Sequence, residues 1–158
     1  MDVLNPEFFL FLNCAHQNNL RYLVIGGYAV NYYGYNRNTN DMDIWIAPTQ
    51  ENKTAFINTL LCMNYSREEV FSLQDEDFTK GFMGVINDGE SPIDVITIVH
   101  HSLSFDEAEK NHIAFEVTSG TVMKIVPYDF LKDMKLFARR DKDLFDIARL
   151  EEIRNLKK

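Results

Sequence analysis

Apolar and polar positions along the chain change period several times, and each change marks an element. After Pro6, the residues Phe8, Phe11, Leu12 and Ala15 recur at the spacing of one buried helical stripe, which predicts a helix over Glu7 to Asn18. Arg21 to Ile25 is a short apolar run that stops at Gly26-Gly27. The following YAVNYYGY returns to helical spacing at Tyr28, Ala29, Tyr32 and Tyr33, so the prediction is strand, tight turn, helix. From Asp41 to Ile46 the pattern alternates, with Met42, Ile44 and Ile46 on one face of a strand and Asp41, Asp43 and Trp45 on the other.

Pro48 and Thr49 open a helix through about Met63, and Ser66 with Glu69 supplies a capping-box start for a second one. Phe82 to Ile86 and Ile93 to Val99 flank Asn87-Asp88-Gly89, which reads as a hairpin. Ser104 to Asn111 reads as helix, and Ile113 to Val117 with Thr121 to Val126 flank Ser119-Gly120 as a second hairpin. From Asp129 the apolar positions Phe130, Met134 and Phe137, then Leu144, Ile147, Ala148 and Ile153, predict two closing helices. No repeat, low-complexity tract or linker interrupts this order, so the expectation is one mixed α+β domain over residues 1–158.

Composition agrees with a folded domain: 46% of residues are hydrophobic and 25% charged, enough apolar surface to offset backbone entropy. The net charge of −8 repels phosphate backbones and anionic membrane, which argues against non-specific nucleic-acid or membrane binding. No run of about 18 apolar residues predicts a membrane span, and no export signal is visible. Cys14 and Cys62 are too few for a metal cluster or a disulfide framework. Buried free thiols and a cytoplasmic location are expected of them, with a single disulfide as the alternative that spacing leaves open.

Acidic residues raise the chemical question. Asp41 and Asp43 leave the same face of one strand, their Cα atoms roughly 6.5–7 Å apart, and Asp94 stands near the start of another strand. Two such charges 4 Å apart repel by about 4 kcal/mol at an effective dielectric of 20, so a pocket holding all three calls for a cation. Hard divalent ions take oxygen ligands and keep positions open for phosphates. Gly26-Gly27, between a strand and a helix, would let a phosphate approach the backbone, although a tight turn uses the same residues.

The order strand, Gly26-Gly27, helix, then Arg37-x-Thr39-x-Asp41-x-Asp43, then SPIDVITI with Asp94, resembles the minimal nucleotidyltransferases of the DNA polymerase β superfamily. The ending KLFARRDKDLFDIARL is similar to the bacterial toxin-antitoxin and AbiEii-like branch, and the resemblance covers about residues 20 to 150. It implies a nucleotidyltransferase fold with a mixed sheet. Asp41, Asp43 and Asp94 would be catalytic residues holding two Mg2+ ions, or Mn2+, with Asp94 accepting the proton of the acceptor hydroxyl. Gly26 and Gly27 would hold the triphosphate, with Arg37, Thr39, Lys135 and Arg139 as further nucleotide-binding residues.

Lys132, Lys135, Arg139 and Lys142 form one basic stripe if helical phase persists through them, able to face the triphosphate or simply solvent. Asp143 and Asp146 are placed to orient these bases. Tyr32, Tyr33 and Tyr35 suit either base stacking or the core, and His100-His101 reads as a surface pair. The expected activity is transfer of a nucleoside monophosphate from a nucleoside triphosphate to a hydroxyl of a protein or small molecule, with a tRNA end as a further acceptor. The resemblance also implies a cognate toxin or antitoxin partner. Tyr28 follows Gly27 where many relatives carry Ser, which favours the alternative of a catalytically weak, partner-masking binding module.

Overall fold

Side-chain caps set where three of the helices begin. Asn5 accepts the Glu7 N–H at 2.8 Å, Thr49 the Asn52 N–H at 3.0 Å, and Ser104 the Glu107 N–H at 3.3 Å, each satisfying a donor that the first helical turn leaves open. The computed structural model describes residues 5–87 and 89–158. Its helices are α1 (Pro6–Gln17), α2 (Gly26–Tyr32), α3 (Gln50–Cys62), α4 (Phe105–Lys110), α5 (Tyr128–Ala138) and α6 (Asp141–Leu156). Its strands are β1 (Tyr22–Ile25), β2 (Met42–Ile46), β3 (Met83–Ile86), β4 (Ile93–Ile96), β5 (Ile113–Thr118) and β6 (Thr121–Ile125).

The strands form one mixed sheet in the order β3-β4-β2-β1-β6-β5. β1 runs antiparallel to β2, with Ile25 opposite Asp43, and β2 runs parallel to β4, with Asp43 beside Asp94. Both expected hairpins form, β3 with β4 and β5 with β6. Asp88, in the first of the two turns, lies outside the described residues. The alternation in β2 follows from the pleat: Met42, Ile44 and Ile46 are buried, while Asp43 projects from the opposite face. Trp45, on the acidic face, is buried too, its Nε1–H donating to the Thr97 carbonyl at 2.9 Å and its ring meeting Phe105 edge-on.

Two long connections are held by single polar side chains. Buried Asn52 accepts the Arg21 N–H at 2.9 Å and donates to the Arg21 and Ala47 carbonyls, tying the start of β1 to the end of β2. The Tyr33 hydroxyl donates to the Val126 carbonyl at 2.7 Å and so anchors the end of α2 beyond β6. Tyr32 and Tyr33 pack edge-on with each other and with Phe115 and Tyr128, and Tyr35 packs on Phe145; all three serve side-chain packing. Among the described residues no helix is long and apolar enough to cross a membrane.

Three expectations need correction. The second helix after β2 is not α-helical: Ser66 and Glu69 do exchange capping hydrogen bonds at 3.0 and 3.1 Å, but turns follow and then short 3-10 helices at Phe71–Asp75 and Phe78–Lys80. Val70 is buried there while Phe71 is exposed, which leaves too narrow an apolar stripe to hold a helix. The basic stripe is broken as well. Arg139 adopts a left-handed conformation with φ 54° and ends α5, so Lys132, Lys135, Arg139 and Lys142 do not share a face.

Cys14 and Cys62 are not free thiols but form a disulfide between α1 and α3, separated by 48 positions in sequence. These helices pack side by side, a proximity invisible to spacing. Closing such a loop restricts the unfolded chain. The double variant Cys14→Ser/Cys62→Ser is therefore expected to lose about 2–4 kcal/mol, read from denaturant midpoints. Reductant should reproduce that loss in the parent chain and change nothing in the variant.

Candidate metal and phosphate site

Parallel pairing of β2 and β4 makes Asp43 and Asp94 lateral neighbours; the expected strand starts one residue later, at Met42, and Asp41 joins the two from the bend just before it. One carboxylate oxygen from each of the three lies within 4.8 Å of the others. β1 ends opposite this point. Gly26 has φ 65°, and a Cβ built there would collide with Asp43 Oδ2, so only glycine lets the aspartate fold over the turn. At Gly27 a Cβ would stand 2.6 Å from Thr39 Oγ1, and the Thr39 hydroxyl itself donates to the Asp41 carbonyl at 3.1 Å. The room left by both glycines is thus taken by side chains that shape the acidic cluster.

Charge crowding is visible in the acid itself. Burial, a hydrogen bond shared with Asp94 and the charge of Asp41 push the Asp43 carboxyl up to about 7, with Lys142 acting in the opposite direction. Three oxygen donors that close, one of them driven to keep its proton, suit a hard divalent cation such as Mg2+ or Mn2+. The donor set fits such an ion; Asp41, Asp43 and Asp94 would hold it.

A cavity of about 620 Å³ opens beside the three acids. Of the expected site residues, Gly26, Asp41, Asp43, Asp94 and Lys135 line it, whereas Gly27, Arg37, Thr39 and Arg139 do not. Lys135 is buried, 6% exposed, and donates to Asp146 at 2.9 Å and to Asp143 at 3.4 Å. Arg140 donates to Asp143 at 2.7 Å, and Arg37 to Asp146 at 3.0 Å. Burial works to raise the Asp143 carboxyl, but Arg140 and Lys135 overcome it and hold the group below the usual carboxylate range. Of the four bases of the expected stripe, only Lys135 is held by Asp143 and Asp146; Lys132 pairs with Glu151 instead, and the other partners of the two acids are Arg140 and Arg37, so that they link the loop before β2 to α5 and α6. The Arg37 Nε is buried without a hydrogen-bond partner among the described residues.

Sequence reasoning named only as one of a stripe, and did not single out, the cation that this network leaves unengaged. Lys142, in the first turn of α6, lines the cavity and acts on Asp43, yet among the described residues it makes no ion pair or hydrogen bond. Its place within a stripe hid it. The signals available were its place in the expected basic stripe and its position beside Asp143, whose partners are Arg140 and Lys135 instead.

No family model matches the chain, and no curated protein matches it significantly.

Two outcomes follow from these charges. Between the ordinary aspartate value of 3.8 and about 7, native Asp43 retains a proton that the unfolded chain has released. Stability of the cation-free protein therefore falls as pH rises through that window. Asp43→Asn is expected to flatten this fall and to be the more stable form at pH 8 by on the order of 1–2 kcal/mol, measured by urea unfolding in chelator. Lys135→Met leaves two buried carboxylates facing one another without their shared cation and should cost about 3–5 kcal/mol in the same assay. A loss under 1 kcal/mol would mean that Lys135 is not the centre of the network.

Proposed function

We propose that this chain is a metal-dependent nucleotidyltransferase of the DNA polymerase β type, transferring a nucleoside monophosphate from a nucleoside triphosphate to an acceptor hydroxyl. The observation that carries the proposal is the meeting of Asp41, Asp43 and Asp94 at one end of a cavity, next to the turn after β1. That arrangement agrees with the resemblance in GGYAVNYYGYNRNTNDMDIWI and SPIDVITI.

Two divalent ions would polarise the phosphate as Lewis acids and lower the pKa of the attacking hydroxyl, whose oxygen bonds to the α-phosphorus as the α–β phosphoanhydride breaks and pyrophosphate leaves. The chain's own part is to gather the oxygens. Asp43 stands on β2 beside Asp94 on β4, and Asp41 in the bend just before β2, so strand pairing holds Asp43 and Asp94 together against their repulsion while the adjoining bend brings Asp41 to them. Asp94 is the residue assigned to accept the acceptor's proton. Lys142 offers an unengaged positive charge to a triphosphate, while Lys135 and Arg140 are held in place by Asp143 and Asp146. Lys135 thus acts on the phosphates as part of a fixed network and not as a mobile point charge.

The negative balance of the chain favours a protein or small-molecule acceptor over a long nucleic acid; a tRNA end presents a short polyanion and stays within this class. Pairing with a cognate toxin or antitoxin belongs to the same proposal. A second reading, a module of this fold that binds a partner without transfer, is favoured by two contacts near the glycine turn. Tyr28 lies edge-on to Phe8 where relatives carry Ser, and Thr39 fills the space beside Gly27.

Calorimetry with nucleoside triphosphates in the presence of Mg2+ separates the two, since the second reading has no metal-dependent nucleotide binding. Under the first, Asp43→Asn is expected to lower transfer, followed with labelled triphosphate, by at least 10²- to 10³-fold. Lys142→Ala should weaken triphosphate binding about tenfold with unchanged stability. Undiminished transfer by Asp43→Asn would remove Asp43 from the chemistry.

A further inference from the structure

The sheet ends in two edges, β5 and β3, and the chain treats them differently. The β5 edge is blunted: its register shifts between Glu116 and Thr118, and its exposed positions are Ala114, Glu116 and Thr118. The β3 edge carries no such device. Met83-Gly84-Val85-Ile86 has no charge, no proline and an unbroken register, and Met83 and Val85 are 76% and 52% exposed. The antiparallel ladder decides which backbone groups are open there. The Thr97 N–H donates to the Phe82 carbonyl at 3.0 Å, so Phe82, Gly84 and Ile86 face β4, while the N–H and C=O groups of Met83 and Val85 point off the sheet. Open ladder positions and bare apolar side chains therefore belong to the same two residues.

We infer that this edge pairs with β3 of a second copy of the chain, antiparallel, about a two-fold axis at Gly84. The segment is self-complementary for that operation. Met83 and Val85 are equidistant from Gly84, so each falls opposite the other in the second copy, and both pairs can exchange two backbone hydrogen bonds. Exposed Lys80 precedes the strand and exposed Glu90 follows it, so antiparallel pairing brings the basic end of each copy to the acidic end of the other. Lys80 is free to turn there, its acid within the chain being Asp77 at 4.0 Å. A strand from an unrelated chain would meet the same backbone groups without matching this order of charges. Pairing uses up the β3 edge of both copies, and assembly stops at two. An axis normal to the sheet keeps both acid-lined cavities on one face, with Met83 and Val85, which line each cavity, meeting across the axis. The contact is four residues long and each copy carries a charge of −8, which together place the dissociation constant on the order of 10–100 µM. This pairing owes nothing to the transferase reading, and the failure of either leaves the other standing.

Sedimentation equilibrium of the full chain over about 5–500 µM is expected to show monomer passing to dimer with no larger species. Val85→Lys leaves the bonds to β4 in place but sets two positive charges about 7–8 Å apart across the axis, and should weaken the dimer at least about tenfold. If that variant does not fold, as judged by circular dichroism, Met83→Lys takes its place with the same expectation. Lys80→Glu should weaken association, and Lys80→Glu with Glu90→Lys should restore it. Amide exchange followed by NMR supplies the site: Met83 and Val85 gain protection as concentration rises, whereas Gly84 and Ile86 are protected throughout. A monomer at every concentration overturns the inference. So does a dimer that Val85→Lys leaves intact, a double charge reversal that restores nothing, or exchange at Met83 and Val85 that ignores concentration.

Discussion

The parallel register of β2 against β4 is the constraint on which the rest of this molecule depends. It places two carboxylates side by side that would repel each other in any free arrangement. The register is enforced from the other face of the sheet, where Met42, Ile44, Ile93 and Val95 are buried. A slip of one residue would turn these apolar side chains toward the cavity and the aspartates into the core. Hydrophobic burial on one face therefore holds an electrostatically unfavourable cluster on the other. Glycine at position 26 completes the arrangement, since any side chain there would displace Asp43.

A second group of charges is organised on the opposite principle. Arg37, Lys135 and Arg140 alternate with buried Asp143 and Asp146, and each acid answers two bases. Apart from the buried Arg37 Nε, which has no hydrogen-bond partner among the described residues, the network pairs its charges internally and ties α5, α6 and the loop before β2 together. Asp41 and Asp43, by contrast, make no ion pair among the described residues, and it is the β2–β4 pairing that holds Asp43 beside Asp94. Lys142 stands between the two groups, acting on Asp43 but making no ion pair among the described residues.

α5 brings Leu131, Met134, Lys135 and Ala138 to the cavity that the three acids line, and the Lys135 ammonium there is committed to Asp143 and Asp146 of α6. The same ion pairs tie α5 to α6 across the point where left-handed Arg139 ends the first of the two helices.

Much of this was legible along the chain. Helix α1 was announced by Phe8, Phe11, Leu12 and Ala15, strand β2 by its alternation, and both hairpins by their turn residues, because these patterns arise from contacts a few residues apart. The candidate role of Asp41 and Asp43 was legible for the same reason: a pleat puts every second side chain on one face. Lys142 and the disulfide were not, nor was the burial of Lys135, because each depends on segments far apart in sequence. Cys14 meets Cys62 only when α1 and α3 lie together, and Lys135 finds Asp143 and Asp146 only because Arg139 breaks the helix and turns α6 back. The amino-acid order determined local period, face and turn, since those follow from backbone geometry. Which faces met, and which charges were left unanswered there, was decided by the tertiary packing that buried the apolar sides together.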